Sequence, residues 1–343
     1  MLTHNKIAEE KAHTFSSGDS YTTTGFNAST GPQPNSSNPL GNPPYPGYTT
    51  SNGPNWVNFL TTTYNDSLIL TYNFAYGGAT VDSKLVPPYL PTVLSMKQQV
   101  ENEFLPIYGN RPSFAPWTSG DSLFAFFIGI NDIGNSYDRK GESNLQASIF
   151  VEYAGLLEQV LLHIVTFTDW LIISIKVYAT GARNLLFLNV PPVQRAPLTS
   201  IDPASVQAVE RTAIQEWNGR LMKLGRQFRE MHADVAIFIF DTYALFNTVL
   251  NNPKVFPQTA GYKNTTSFCE AYANGTPSMT SFNASCGLPV NEYFWFNALH
   301  PTYPMHNATA EQIWSLFEKV PPGGNQISQE FGQFISKIVK WKC

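Results

Sequence analysis

Short apolar runs recur along this chain with stretches of helical periodicity between them, and that alternation restricts the fold more than any other feature. Residues 122–128 are strongly apolar, 185–190 (Leu-Leu-Phe-Leu-Asn-Val) and 235–240 read as further buried strands, and 67–74 is strand-like. Pro191-Pro192 stops the run at 185–190. Residues 56–60 read as a short helix. Farther on, Val206, Val209, Ala213, Trp217, Leu221, Leu224, Phe228 and Met231 recur every three or four residues, which is the stripe of one helix face. Strands that alternate with helices predict a mostly parallel sheet covered on both sides. With no repeat and no domain-sized linker, a single domain over 1–343 is expected.

Composition narrows the partners. Of 343 residues, 43% are hydrophobic and 14% aromatic, enough for a large core. Only 13% are charged, about half the usual share, so the surface must be polar and uncharged. The net charge of -4 and the lack of a Lys/Arg run argue against nucleic acid and anionic membranes as partners. Cys269 and Cys286 lie close together in a stretch rich in Gly, Asn, Ser, Thr and Pro, where a local disulfide is expected; Cys343 is left over. Asn-x-Ser/Thr sequons occur at Asn27, Asn35, Asn65, Asn264, Asn274, Asn283 and Asn307. Together with the cysteine pair they point to secretion, although Met1 to Lys6 has no apolar signal core. Residues 160–175 are too short and too interrupted to span a bilayer, and a buried helix is the simpler expectation. No stable membrane anchor is expected.

Four blocks carry candidate chemistry. Gly18-Asp19-Ser20 follows residues 13–17, read as the weakly apolar end of a first strand. A glycine there lets the chain turn sharply and present the serine at the strand's carboxyl end, where parallel sheets hold their sites. Such a serine becomes a nucleophile if a base takes its proton. Gly120-Asp121-Ser122 repeats the tripeptide, but it precedes a strand and reads as a turn at the opposite sheet edge. Gly129-Ile130-Asn131-Asp132 follows the strand at 122–128, so the Asn131 amide can stabilise an oxyanion. Gly77-Gly78 follows another strand, where glycine lets a backbone N–H approach a substrate. Among six histidines, His300 stands out: Pro301 restricts the backbone beside it, and Asn297 is spaced to fix its tautomer.

In their order these blocks resemble the SGNH, or GDSL, hydrolases. Gly18-Asp19-Ser20-Tyr21-Thr22, residues 74–82, Gly181-Ala182-Arg183-Asn184, Asn189-Val190-Pro191-Pro192 and Leu299-His300-Pro301-Thr302 are similar to fungal acetylesterases of carbohydrate esterase family 16. The likeness runs from about residue 15 to about 315. It implies a three-layer α/β/α sandwich of flavodoxin-like type and a serine carboxylic-ester hydrolase that needs no metal or cofactor. It also implies Ser20 as nucleophile and His300 as base. The oxyanion hole would be the N–H of Ser20, the N–H of Gly78 (Gly77 being the second choice) and the Asn131 side chain. The implied substrate is a small acetylated sugar or oligosaccharide. The alternatives are a lipase-like or phospholipase-like esterase and a catalytically impaired glycan-binding relative.

Three places depart from the family's pattern. Many of its enzymes have Asp three residues before the histidine, and here that position is Asn297. The third member is therefore open between Asn297, a backbone carbonyl and an acid from elsewhere; for Asp241, at a strand end, a structural cap is the favoured reading. Residues 1–12 lack a convincing apolar first strand, and 160–177 read as an insertion of the kind a retained intron would encode.

Overall fold

The computed structural model describes residues 11–157 and 177–319. Nearly all of the stretches 1–12 and 160–177, and Cys343, lie outside the described residues. Five strands form one sheet: β1 (Lys11–Gly18), β2 (Leu68–Asn73), β3 (Ser122–Phe127), β4 (Asn184–Leu188) and β5 (Ala236–Phe240). Their order is β2-β1-β3-β4-β5 and every pair is parallel. The four runs expected to be strands are all present. The weakly apolar run at 13–17 does form the end of a first strand. From Ala12 onward every residue of β1 is buried, and the strand pairs with β2 on one side and β3 on the other.

This order has a switch point between β1 and β3. The chain leaves β1 toward one edge and returns at β3 to build toward the other, so the loops after these two strands diverge and leave a crevice at their carboxyl ends. β3 is buried on both faces, as its alternation shows. Phe126 meets Tyr153 of helix α3 (Glu142–Leu157), whereas the next residue, Phe127, meets Trp56 of helix α1 (Trp56–Thr62). β5 alternates likewise. Ile237 and Ile239 lie against Gly225 of helix α4 (Ala204–Met231), and Phe238 packs on Phe317 of helix α6 (Tyr303–Glu318). Between these lie α2 (Ile130–Gly134), just past β3, and α5 (Thr242–Asn251), just past β5.

The apolar stripe of α4 is narrower than the sequence pattern. Ala213, Trp217, Leu221, Leu224 and Phe228 are buried, but Val209 and Met231, near its two ends, are 48% and 56% exposed. Cys269 and Cys286 form a disulfide that closes a loop outside the sheet, 17 residues apart in sequence. In the chain-entropy picture a closure of that length contributes about 3 kcal/mol.

Candidate active site

Gly18 ends β1 at the crevice. A Cβ on it would lie 2.4 Å from the Phe127 carbonyl oxygen, so the ends of β1 and β3 can approach this closely only with glycine at 18. The need is close packing, not the sharp turn expected from sequence. Gln99 grips both polar groups of the same residue. Its Oε1 accepts from the Gly18 N–H (2.9 Å), and its Nε2 donates to the Gly18 carbonyl (2.8 Å). The turn itself is organised by the buried Asp19. Its carbonyl accepts from the N–H groups of Thr22 (3.0 Å) and Thr23 (2.9 Å), and its Oδ1 accepts from the N–H of Tyr21 (3.0 Å). Burial pushes the Asp19 carboxyl up to about 8, which favours its protonated form.

This turn places Ser20 Oγ 2.7 Å from His300 Nε2. On the far side of the ring, Nδ1 lies 2.9 Å from Asn297 Oδ1. That oxygen also accepts the backbone N–H groups of Leu299 (3.0 Å) and His300 (2.9 Å), which fixes which end of the Asn297 amide faces the ring. An acceptor at Nδ1 requires the proton there, so Nε2 is the free base toward the serine hydroxyl. The histidine loop is tied to the serine loop by Tyr21, whose hydroxyl donates to the Leu299 carbonyl (2.7 Å). Desolvation lowers the His300 pKa to about 4, which keeps the imidazole neutral over the pH range where a base must be unprotonated.

Opposite the histidine lies the loop after β2. Gly77 runs against Ser20, since a Cβ on it would be 3.9 Å from the serine Cβ. Gly78 takes φ +86°, and a Cβ there would enter the Tyr89 ring. The loop is held by the start of α2. The Asn131 amide donates to the Ala79 carbonyl (2.9 Å), and both carboxylate oxygens of Asp132 accept the Val81 N–H (3.1 and 3.2 Å). An amide nitrogen has two hydrogens, so this bond uses only one of them. Asn131→Ala should lower kcat about 10²–10³-fold with little change in KM, the usual effect of losing one oxyanion donor. Steady-state kinetics on a small acetyl ester checks this, and an unchanged kcat would remove Asn131 from that role.

The structure thus brings Ser20, His300 and Asn297 into one hydrogen-bonded line and sets Gly77 beside the serine. Asp241 takes no part in that line; it caps α5 through Ala244 N–H (3.0 Å) and accepts from the Asn189 amide (2.8 Å). Gly120-Asp121-Ser122 lies at the amino end of β3, the sheet edge away from Ser20. Sequence reasoning gave no role to Gln99, Asp132 or Tyr21. For Asp132 the signal was present, a second polar residue directly behind Asn131 at a strand end. Among the described residues, no group of three or more His, Cys, Asp or Glu is placed to hold a metal ion.

Comparison with known proteins bears on the same blocks. Residues 15–313 match the family model described as GDSL-like Lipase/Acylhydrolase. The chain is 36% identical over 300 residues to an acetylesterase of Thermothelomyces thermophilus, covering 86% of this chain and 85% of that protein. It is 25% identical over 269 residues to a thermolabile hemolysin of Vibrio parahaemolyticus, covering 77% of this chain and 54% of that one. Among solved structures, an acetylxylan esterase from Geobacillus stearothermophilus aligns over 93% of this chain and 97% of its own, with a TM-score of 0.45 and 14% identity.

Proposed function

This chain belongs to the GDSL-like lipase/acylhydrolase family, and we propose that within it the protein is an acetylesterase that removes acetyl groups from sugars or hemicellulose oligosaccharides. The Ser20–His300–Asn297 line carries this proposal, in a chain more than a third identical to an acetylesterase over most of its length. His300 Nε2 takes the Ser20 proton as Oγ attacks the acetyl carbon. The N–H groups of Ser20 and Gly78 and the Asn131 amide hold the oxyanion of the tetrahedral intermediate. The imidazolium then gives its proton to the departing sugar oxygen, which leaves an acetyl-Ser20 ester. Water, deprotonated by the same histidine, attacks that ester; the bond to Oγ breaks, the imidazolium returns its proton to Ser20, and the acetyl group leaves as acetic acid. Asn297 orients the imidazole and neutralises nothing, so the site works as a dyad with a polar orienter.

The test compares p-nitrophenyl esters of increasing acyl length and measures acetate released from acetylated xylo-oligosaccharides. Turnover should peak at acetyl and fall at least tenfold by octanoyl. A rise with chain length would instead favour the lipase-like alternative.

One continuous sheet supports a single hydrolase domain. Secretion is supported by the Cys269–Cys286 disulfide, since such bonds persist in oxidising compartments. Asn27, Asn35, Asn274 and Asn283 are exposed and open to glycosylation. Asn307 is not a good acceptor, because it lies within α6 and accepts from the Tyr64 hydroxyl (2.5 Å). No helix among the described residues is long and apolar enough to cross a membrane.

A further inference from the structure

We infer that a cleft of about 540 Å³ beside Asn297 is the binding subsite for the uncharged sugar portion of the ester, the part that leaves with the oxygen. The inference rests on the acetylesterase proposal and adds where the sugar sits and which loops select it. The cleft falls within the range of small-ligand sites, about 300–1,000 Å³. It lies between the polar loop before α1 and the segment closed by the Cys269–Cys286 disulfide, and two residues of its wall bond to Ser20 and His300. Thr50, in its wall, donates through Oγ1 to the Ser20 carbonyl (2.7 Å). Asn297, also in its wall, holds His300.

The lining selects the chemistry. It contains no ionisable side chain, so nothing in it would hold a charged ligand. Thr50, Asn52, Thr276 and Ser278 bring hydroxyl and amide groups to it, and Met279 and Phe296 are among its apolar residues. An acyl chain needs a continuous apolar lining, whereas a sugar presents hydroxyls around its rim and C–H groups on its faces. The mixed lining matches the sugar.

The two walls are also built to stay in register. Asn52 takes a left-handed φ of 54°, uncommon for a residue other than glycine, and so presents its side chain across the cleft. Its Nδ2 donates to Thr276 Oγ1 (2.8 Å), and its Oδ1 accepts from the Thr276 N–H (3.0 Å). A backbone held in that region, bridging segments 224 residues apart, is what a preformed subsite requires.

The experiment fills the cleft. Asn274, in the sequon Asn274-Gly275-Thr276, lines the same space, so all proteins are compared in an Asn274→Gln background that keeps a glycan out. Ser278→Trp, with Met279→Trp as a second filling variant, is assayed on acetylated xylotriose and on p-nitrophenyl acetate, and folding is checked by thermal melting. The ratio of kcat/KM on the sugar ester to that on p-nitrophenyl acetate should fall at least tenfold, mainly through KM. An unchanged ratio in a folded variant overturns the subsite and leaves the acetylesterase proposal standing. A parent protein that cleaves p-nitrophenyl acetate but no acetylated sugar overturns that proposal, and the subsite with it.

Discussion

Ser20→Ala should lower kcat on acetyl esters about 10⁴–10⁶-fold while leaving the fold intact. The size follows from what the hydroxyl does. In the proposed mechanism no acetyl-enzyme forms without Oγ, and what remains is attack by water on an ester held by the oxyanion donors alone. Enzymes that lose one member of such a unit keep a residual acceleration of about 10³–10⁴ over water. The fold should survive because the turn is organised by Asp19 and Gln99, not by the serine side chain. The decoy variant Ser122→Ala is the control. Ser122 Oγ donates to the Thr118 carbonyl at the other end of β3, so its loss should leave kcat within about twofold of the parent. Equal slow rates in the Ser20→Ala and parent proteins would point to the glycan-binding alternative.

The contrast between these two serines shows what was legible in the sequence. Runs such as 122–128 and 185–190 announce strands because both faces are buried, and the rule that sites follow strands then separates Ser20 from Ser122. The interior strand β1 reads as weak because His13, Thr14, Ser16 and Ser17 break the apolar pattern. Part of its polarity is answered by specific partners: His13 lies 3.4 Å from Asp121, and Gly18 is held by Gln99. Partners of that kind come from distant segments and leave no periodicity to read. Gln99 is 81 residues from Gly18, and Asn52 is 224 from Thr276. Asn297 was legible because it acts over three residues, whereas Asp132 showed only its place at a strand end and not what it holds, the backbone of Val81, 51 residues away.

His300→Gln should cost about as much as Ser20→Ala, and the double variant little more than either, because the two residues act as one unit. The pH profile gives a finer test of the histidine's setting. His300 must be neutral to accept the serine proton, and desolvation lowers its pKa to about 4. The acid limb of kcat/KM in the parent should therefore lie near pH 4, well below that of an ordinary histidine. Stability follows the same sign. A folded-state pKa depressed from 6.5 to about 4 means the unfolded chain binds the extra proton first. The contribution is fully present above about pH 6.5 and is lost as pH falls through about 4. Asn297→Asp puts a carboxylate where three N–H groups already converge on one oxygen, so the acid should be accommodated without rearrangement. A charge 2.9 Å from Nδ1 favours the imidazolium, so the acid limb should move up by a unit or more, toward neutral pH. The same charge stabilises the imidazolium formed during attack, so kcat at pH 8 should rise or hold. An acid limb that stays near pH 4 in Asn297→Asp would mean that the ring's partner is not residue 297.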